Sequence, residues 1–203
     1  MSGPWRSPIW MGLLCMAVSA SCSLLPPSAV EARKEALTKL PAELPHGKTH
    51  PGTLLVLAPE AVPLYDTVQM AYQLRPYEIA YFSQTEWAQR PVLMLQPLLV
   101  RMLQDGAYFR AVATPPFMGH YTHALRTEIV TLLQDFTAEP PTLQLTLRFQ
   151  LVAAAGGDPV ATKEINVREP MREKSPYAGA VAANDATAKA LRELAEFVQA
   201  QVD

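Results

Sequence analysis

The sequence predicts an α+β domain in which a mixed or antiparallel sheet carries two helices on one face. Apolar and polar residues alternate from Leu143 to Leu151, which is typical of a strand with one buried face. Two other segments, residues 91–105 and the stretch after Asp185, place their leucines at helical spacing instead. The resulting order, β-β-β-α-β-β-β-β-α, fits a sheet covered by two helices.

Four strands are expected in the first half of the domain. Residues 53–57 form a continuous apolar run, typical of a buried strand, and residues 69–75 alternate between apolar and polar side chains. Pro76 breaks this second strand, and residues 78–82 resume an extended chain. Residues 108–112 form a further short strand after the first helix.

Three consecutive strands are expected between residues 123 and 170. Residues 125–136 also fit helical spacing, but their β-branched content favours a strand, with Thr127, Ile129, Val130 and Thr131. The alternation over residues 143–151 indicates the clearest strand of the chain. A turn is expected at residues 156–159, and residues 160–168 then form the returning strand.

Two helices are expected. The first covers residues 91–105 and ends at Gly106, and Pro97 should either kink it or mark its true start. Its apolar face is formed by Leu95, Leu98, Leu99, Met102 and Leu103. The second is expected to begin at a cap made by Asn184 and Asp185. Its apolar face is formed by Leu191, Leu194, Ala195 and Val198.

The N-terminus has the pattern of a secretory signal peptide over residues 1–21. A polar start containing Arg6 precedes a short apolar run at residues 9–18, and small residues then lead to Cys22. The run is shorter than the ~20 residues that a helix needs to span a bilayer. Small residues before a cysteine resemble a bacterial lipobox, so we expect acyl chains such as palmitate on Cys22. The alternative is ordinary cleavage after Ala20.

The cysteine count supports the acylated form. Both cysteines, Cys15 and Cys22, lie close to the N-terminus, so a mature chain beginning at Cys22 can form no internal disulfide. Acylation accounts best for a lone terminal cysteine, and two or three acyl chains anchor a protein stably. Residues 22–52 are rich in proline, which predicts a lipid-anchored, semi-rigid tether. The folded domain is expected over residues 53–203.

Composition and charge narrow the class of protein. A chain of 203 residues that is 49% apolar and 8% aromatic suits one folded domain and is too apolar for a disordered protein. Seventeen Lys and Arg residues against 19 Asp and Glu residues give a net charge of −2. Nucleic acid is therefore not an expected partner, because binding it requires a basic surface.

No sequence motif points to an enzyme. The sequence contains no Gly-rich phosphate loop, no G-x-S-x-G elbow and no H-E-x-x-H motif. His120 and His123 are three residues apart, but two imidazoles are too few for a zinc site and their Pro-rich loop favours exposure. We therefore expect no catalytic residue, no metal and no cofactor. A hydrolase that uses His120 or His123 is the alternative.

Five aromatic residues lie within a short segment of the sequence. They are Tyr72, Tyr77, Tyr81, Phe82 and Trp87. Tyrosine and tryptophan favour surfaces that are apolar and partly hydrated, so the segment fits a lipid groove or a protein interface. The alternative is the core of a sheet with the hydroxyl groups at its rim. If one face is exposed, we expect partner contact at Tyr77, Tyr81, Phe82 and Trp87.

Several short motifs occur in a fixed order along the chain. They are the Ser21-Cys22-Ser23 junction, the segments 72–82, 103–109 and 133–136, and the closing segment 184–198. Together they resemble the ABC-type transport auxiliary lipoproteins, which include the PqiC-like intermembrane transport lipoproteins. The similarity runs over residues 53–200.

This resemblance implies a function. Members of the family sit at the outer membrane and serve lipid transport systems built on mammalian-cell-entry (Mce) domain proteins and an inner-membrane ATPase. It implies a non-enzymatic docking component, anchored at the periplasmic face of the outer membrane, whose partner is the periplasm-spanning Mce protein. Self-association is also compatible with the resemblance. The alternative is a soluble periplasmic or envelope-assembly binding protein that is not linked to an ABC transporter.

Overall fold

The computed structural model describes residues 31–155 and 159–202, which form nine strands and two helices. The strands are β1 (Arg33–Glu35), β2 (His50–Val56), β3 (Glu60–Ala61), β4 (Gln69–Gln73), β5 (Ala80–Trp87), β6 (Phe109–Ala113), β7 (His123–Asp135), β8 (Thr142–Ala153) and β9 (Pro159–Pro170). The helices are α1 (Pro91–Asp105) and α2 (Pro176–Val202). The expected strands and both helices are present, and the short strands β1 and β3 are additional.

The 13-residue strand β7 organises the sheet. Along one edge it pairs in succession with β2, β3 and β4, all parallel, and along the other edge with antiparallel β8. Strand β6 extends the sheet beyond β2, β5 and β1 extend it beyond β4, and β9 extends it beyond β8. The sheet is therefore mixed, which confirms the α+β prediction.

Strand β7 also defines two ends of the domain. At 3.3 Å per residue it is about 40 Å long. We call the end where β7 begins the loop end, because the β6–β7 loop lies there, and the end where it finishes the turn end, because the β4–β5 turn lies there. Strands β2 and β6 belong to the loop end, whereas β4, β5 and β1 belong to the turn end.

One face of the sheet is covered by the helices. Helix α2 packs against β8 and β9, and α1 packs against β6 and α2. Five alternate side chains of β8 join residues of both helices in one hydrophobic core, namely Leu143, Leu145, Leu147, Phe149 and Leu151. Each such leucine contributes about 1.5–3 kcal/mol on burial. The residues between them point to the opposite, polar face, as the alternation predicts.

Helix α1 matches its expected bounds. Pro91 opens it, where a missing N–H costs nothing, and the N–H of Gly106 donates to the carbonyl of Met102 at its end. Pro97 lies inside the helix and does not mark its start.

Helix α2 begins earlier than the sequence pattern suggested. The hydroxyl of Ser175 accepts a hydrogen bond of 3.2 Å from the N–H of Ala178, so Ser175 caps the helix and Pro176 opens it. Asn184 and Asp185 therefore lie inside α2, and the prediction that they cap it was wrong. A Ser-Pro pair is itself a helix start signal, but the leucines that give the pattern its helical spacing begin further along the chain.

Residues 36–46, which we call the strap, lie against the domain rather than extending away from it. The side chain of Leu37 is buried, and Leu40 and Leu44 pack against the core. The carbonyl of Pro45 accepts a hydrogen bond of 2.8 Å from Tyr108, and that of His46 accepts one of 2.9 Å from Gln199.

The expected tether over residues 22–52 was therefore wrong for its described part. Residues 31–52 belong to the same compact unit as the rest of the described chain, and the domain begins at residue 31 rather than at residue 53. The physical reason is burial, because three leucines along the strap reach the core although Pro41 interrupts it.

The described chain begins near the turn end. Strand β1 runs parallel to β5, with Arg33 beside Thr85 and Glu35 beside Trp87. Glu31 and Ala32 therefore lie towards Ala80 and the β4–β5 turn, whereas the strap continues from Glu35 towards the loop end.

Three expectations concern residues that the structure does not describe. The signal peptide at residues 1–21 and the acylated Cys22 both lie outside the described residues, and so does most of the turn expected at residues 156–159. Neither helix in the described part of the chain is both long and apolar enough to span a membrane.

Candidate functional site

The turn end of the domain exposes a small amphipathic surface. We call Leu74, Arg75 and Tyr77, which connect β4 to β5, the turn surface. The side chain of Leu74 is 58% exposed, and Tyr77 is fully exposed. Tyr77 has a φ of 68°, a left-handed backbone conformation that is uncommon for a bulky residue. The turn therefore holds an apolar and an aromatic side chain out in solvent.

Three aromatic rings support the turn surface. The ring of Tyr72 lies 4.3 Å from that of Phe82 and 5.8 Å from that of Phe136, measured between centroids. Phe82 and Phe136 are 6.3 Å apart in an edge-on arrangement. Rings at these separations attract one another beyond their area burial, so the base of the turn is well packed.

The four residues expected to contact a partner lie in different environments. Tyr77 belongs to the turn surface, and Phe82 is half-buried in the aromatic base. Tyr81, also half-buried, points to the other side of β5 and donates a hydrogen bond of 3.1 Å to the carbonyl of Leu64. Trp87 is only 3% exposed and belongs to the core. The aromatic segment is therefore part surface and part core.

A hydrogen-bond network fixes the β7–β8 connection beside this base. The carboxylate of Asp135 accepts bonds from the hydroxyl and the N–H of Thr137, at 2.6 and 2.9 Å, and from the side-chain amide of Gln144, at 2.7 Å. Burial alone would raise the pKa of Asp135, but hydrogen bonds from Thr137, Gln73 and Gln144 outweigh it and hold that pKa below its usual value.

The loop end exposes a second apolar surface. We call Phe117, Met118 and Tyr121, in the loop between β6 and β7, the loop surface. Met118 is almost fully exposed, and the two aromatic side chains are more than one-third exposed. Methionine is flexible and polarisable, which suits a surface that adapts to a protein partner. His120 lies in the same loop and is exposed.

Two histidines and a phenylalanine form a cluster where the strands of the loop end begin. The ring of His50 lies 5.2 Å from both Phe109 and His123, and Phe109 lies 5.5 Å from His123. Burial and the nearby His50 lower the pKa of His123. His120 is not part of this cluster, so the two histidines singled out by their spacing have different environments.

Charged side chains line up across the open face of the sheet. Glu60, Glu128, Arg148 and Glu164 are neighbours in register on β3, β7, β8 and β9. Arg148 donates hydrogen bonds of 2.6 Å to Glu128 and 3.1 Å to Glu164. The bond to Glu164 is the main cause of the raised pKa of Arg148.

A groove of about 460 Å³ lies beside this row. Its charged lining consists of Glu60, Arg126, Glu128 and Arg148. Because two carboxylates already engage Arg148, we interpret the row as cross-strand ion pairing that stabilises the sheet. Within the described ranges, 31–155 and 159–202, no group of three or more His, Cys, Asp or Glu side chains is arranged to hold a metal ion.

The sequence pattern indicated a helix cap at Asn184, and its contacts with the strap were not predicted. Its side-chain oxygen accepts hydrogen bonds from the N–H groups of Thr38 and Lys39, at 2.8 and 3.0 Å, and its side-chain amide donates to the carbonyl of Ala36 at 2.8 Å. The side-chain amide of Asn184 thus pairs with backbone N–H and C=O groups of the strap, as the backbone of a neighbouring strand would. An asparagine inside a helix is the only local signal, and it resembles a cap.

Comparison with other proteins identifies the family. A profile of the ABC-type transport auxiliary lipoprotein component family matches residues 36–198. No curated protein matches the chain.

Solved structures share the fold. Protein XCC0632 from Xanthomonas campestris is 22% identical, with a TM-score of 0.74, over 82% of this chain and 94% of that chain. The hypothetical protein CT253 from Chlamydia trachomatis is 9% identical, with a TM-score of 0.52, over 75% of this chain and 98% of that chain. The family profile covers most of the domain, so the chain belongs to the ABC-type transport auxiliary lipoprotein component family.

Proposed function

We propose that this protein is an outer-membrane-anchored periplasmic lipoprotein that serves an Mce-type ABC lipid transport system as a non-enzymatic docking component. The observation that carries the proposal is the family match over residues 36–198. The family is described as an auxiliary component of transport, which is not an enzyme class.

Acylation of Cys22 would hold the domain close to the membrane. The described domain begins at residue 31, so nine Cα–Cα steps separate it from Cys22 and span at most about 30 Å. A domain on such a short connection remains within reach of the membrane surface and samples little of the periplasm. This suits a component that receives a periplasm-spanning partner at the outer membrane.

The loop surface is the surface that we assign to the Mce-domain partner. It lies about 40 Å along β7 from the turn end, near which the described chain begins, so an anchor on that side would leave it free for a partner. Its exposed methionine and aromatic side chains have the composition of a protein interface. Contact between a partner and Tyr77, Tyr81 or Phe82 stays a prediction, whereas the buried Trp87 presents no surface for one.

Two measurements test the proposal, an intact-mass analysis of the purified protein and a pulldown of its partner. The protein is purified from membranes beside a Cys22→Ala variant, and both are analysed by intact mass. We expect a chain that begins at Cys22 and carries acyl mass in the native protein only. A native chain that begins at Ser21 with a bare thiol would contradict the anchor and favour a soluble binding protein.

The transporter link is tested in the same preparation. A detergent extract is passed over the tagged native protein, and we expect to recover an Mce-domain component. Acylated protein that recovers no transporter component would contradict the docking role while leaving the anchor intact.

A further inference from the structure

We propose that the turn surface rests on the phospholipid surface to which the N-terminus is anchored, so that the domain has a second, non-covalent membrane contact. The proposal rests on the anchor proposed above. It assigns a lipid surface as the partner of Tyr77, and it fixes which end of the domain faces the membrane.

The path of the chain is the first argument. Because β1 runs parallel to β5, the described chain begins, at Glu31, on the side of the sheet that is nearer the turn end. The nine steps from Cys22 to residue 31 span at most about 30 Å, which is less than the ~40 Å length of β7. A connection of this length favours the turn end as the end of the described domain that faces the membrane.

The chemistry of the turn surface is the second argument. Tyrosine is enriched at the level of lipid headgroups, where its ring is apolar and its hydroxyl remains hydrated. Leu74 offers an apolar side chain beside it. The side chain of Arg75 is 81% exposed, with its Nε 4.0 Å from the carboxylate of Glu78, and this loose pair leaves the charged group able to reach lipid phosphates. The three side chains together match the apolar-to-polar gradient of a membrane surface.

The backbone of the turn is the third argument. Tyr77 holds a left-handed conformation in which a bulky side chain is strained, although nothing in the described domain covers its ring. Strained residues concentrate at binding surfaces, where the conformation serves a contact. The rings of Tyr72, Phe82 and Phe136 pack against one another beside this turn.

The test uses fluorescence quenching by lipids that carry bromine on their acyl chains. Acylated Tyr77→Trp protein is reconstituted into vesicles of phosphatidylethanolamine and phosphatidylglycerol, with or without brominated chains. We expect the emission of the new tryptophan to fall about twofold in the brominated vesicles, because it lies at the interface. The native protein, whose mature chain contains only the buried Trp87, provides the background.

A matched variant gives the control. Tyr121→Trp places the same reporter in an exposed tyrosine of the loop surface, and its emission should be the same in both kinds of vesicle. Protein that floats with the vesicles but shows no selective quenching of the tryptophan at position 77 would overturn this proposal alone. Protein that does not float with the vesicles would overturn both the anchor and this proposal.

Discussion

At the turn end of β7, Leu74 and Tyr77 lie in the connection beside the tilted rings of Tyr72, Phe82 and Phe136. At the loop end, Phe117 and Met118 lie in the connection that leads into β7, whose first residue, His123, belongs to a cluster with His50 and Phe109. Both ends place exposed apolar side chains on connections beside an aromatic cluster. The two connections differ in length and in chemistry. The short, strained turn suits a fixed contact, whereas the longer, methionine-containing loop suits an adaptable one. Similar packing thus supports two kinds of surface, and each prediction below tests one part of this contrast.

The largest effect is expected within the aromatic segment itself. Trp87→Ala should lower the free energy of unfolding by about 3–5 kcal/mol, because it removes a buried side chain from the core. Tyr77→Ala should change it by less than about 0.5 kcal/mol, because that ring is exposed. Urea denaturation of both variants measures the difference. Equal losses would show that the turn surface is packed in solution.

The attachment of the strap should give the next largest effect. Asn184→Ala leaves three backbone groups of the strap without their partner and should cost about 2–3 kcal/mol. The matched control is Asn166→Ala, which removes a single exposed bond from Thr146 and should cost less than about 1 kcal/mol. Thermal melting and limited proteolysis within residues 36–46 measure both. Equal melting temperatures would contradict the role of Asn184.

Replacement of the exposed methionine tests the function assigned to the loop end. Met118→Asp should lower recovery of the Mce-domain component about tenfold, because it places a charge in an apolar contact. The control is Leu93→Asp, which changes an exposed leucine of α1 in the same way and should recover as much partner as the native protein. If both variants recover the same amount of the Mce-domain component, the docking surface does not lie at the loop end.

The smallest effect is a difference in pH sensitivity between the ends. The pKa of His123 is lowered in the folded domain, so protonation favours unfolding, and stability should decline as the pH falls below about 6.5. The pKa of Asp135 is lowered as well, but its contribution is complete above about pH 4 and is lost only below that value. Loosening at pH 5.5 should therefore begin at the loop end.

Denaturation at pH 7.5 and pH 5.5 checks this. His123→Gln should reduce the loss of stability between the two pH values, whereas Asp135→Asn should leave that loss unchanged. A native protein that is equally stable at both would contradict the assignment of the titration to His123.

The parts of the fold that could be predicted are those with a local signal. The alternation from Leu143 to Leu151 predicted β8, and β-branched residues resolved the ambiguity of β7. The strap could not be predicted in this way, because its partner Asn184 lies 146 residues further along than Thr38. Its three leucines become informative only when the groups they pack against are known.

The candidate site also has parts that a local sequence signal predicts and parts that it does not. The aromatic segment was recognised from its composition, but composition does not distinguish the exposed Tyr77 from the buried Trp87. Strand β5 is covered on both sides near Tyr81 and Phe82, so the period-two rule assigns neither residue to solvent. The loop surface has no periodicity, and only the position of its loop at one end of β7 makes it a candidate.

The attachment of the strap has a consequence for the order in which the domain is completed. Synthesis proceeds from the N-terminus, so Thr38 and His46 emerge long before Asn184 and Gln199, their partners 146 and 153 residues away. Contacts of such separation close late, because the intervening chain must first be ordered. The strap is thus among the first parts of the domain to be made and among the last to dock. A chain that ends before α2 lacks the helix that holds the strap and leaves the leucines of the strap more exposed. Chaperones and proteases that recognise exposed apolar segments can then bind such an incomplete chain.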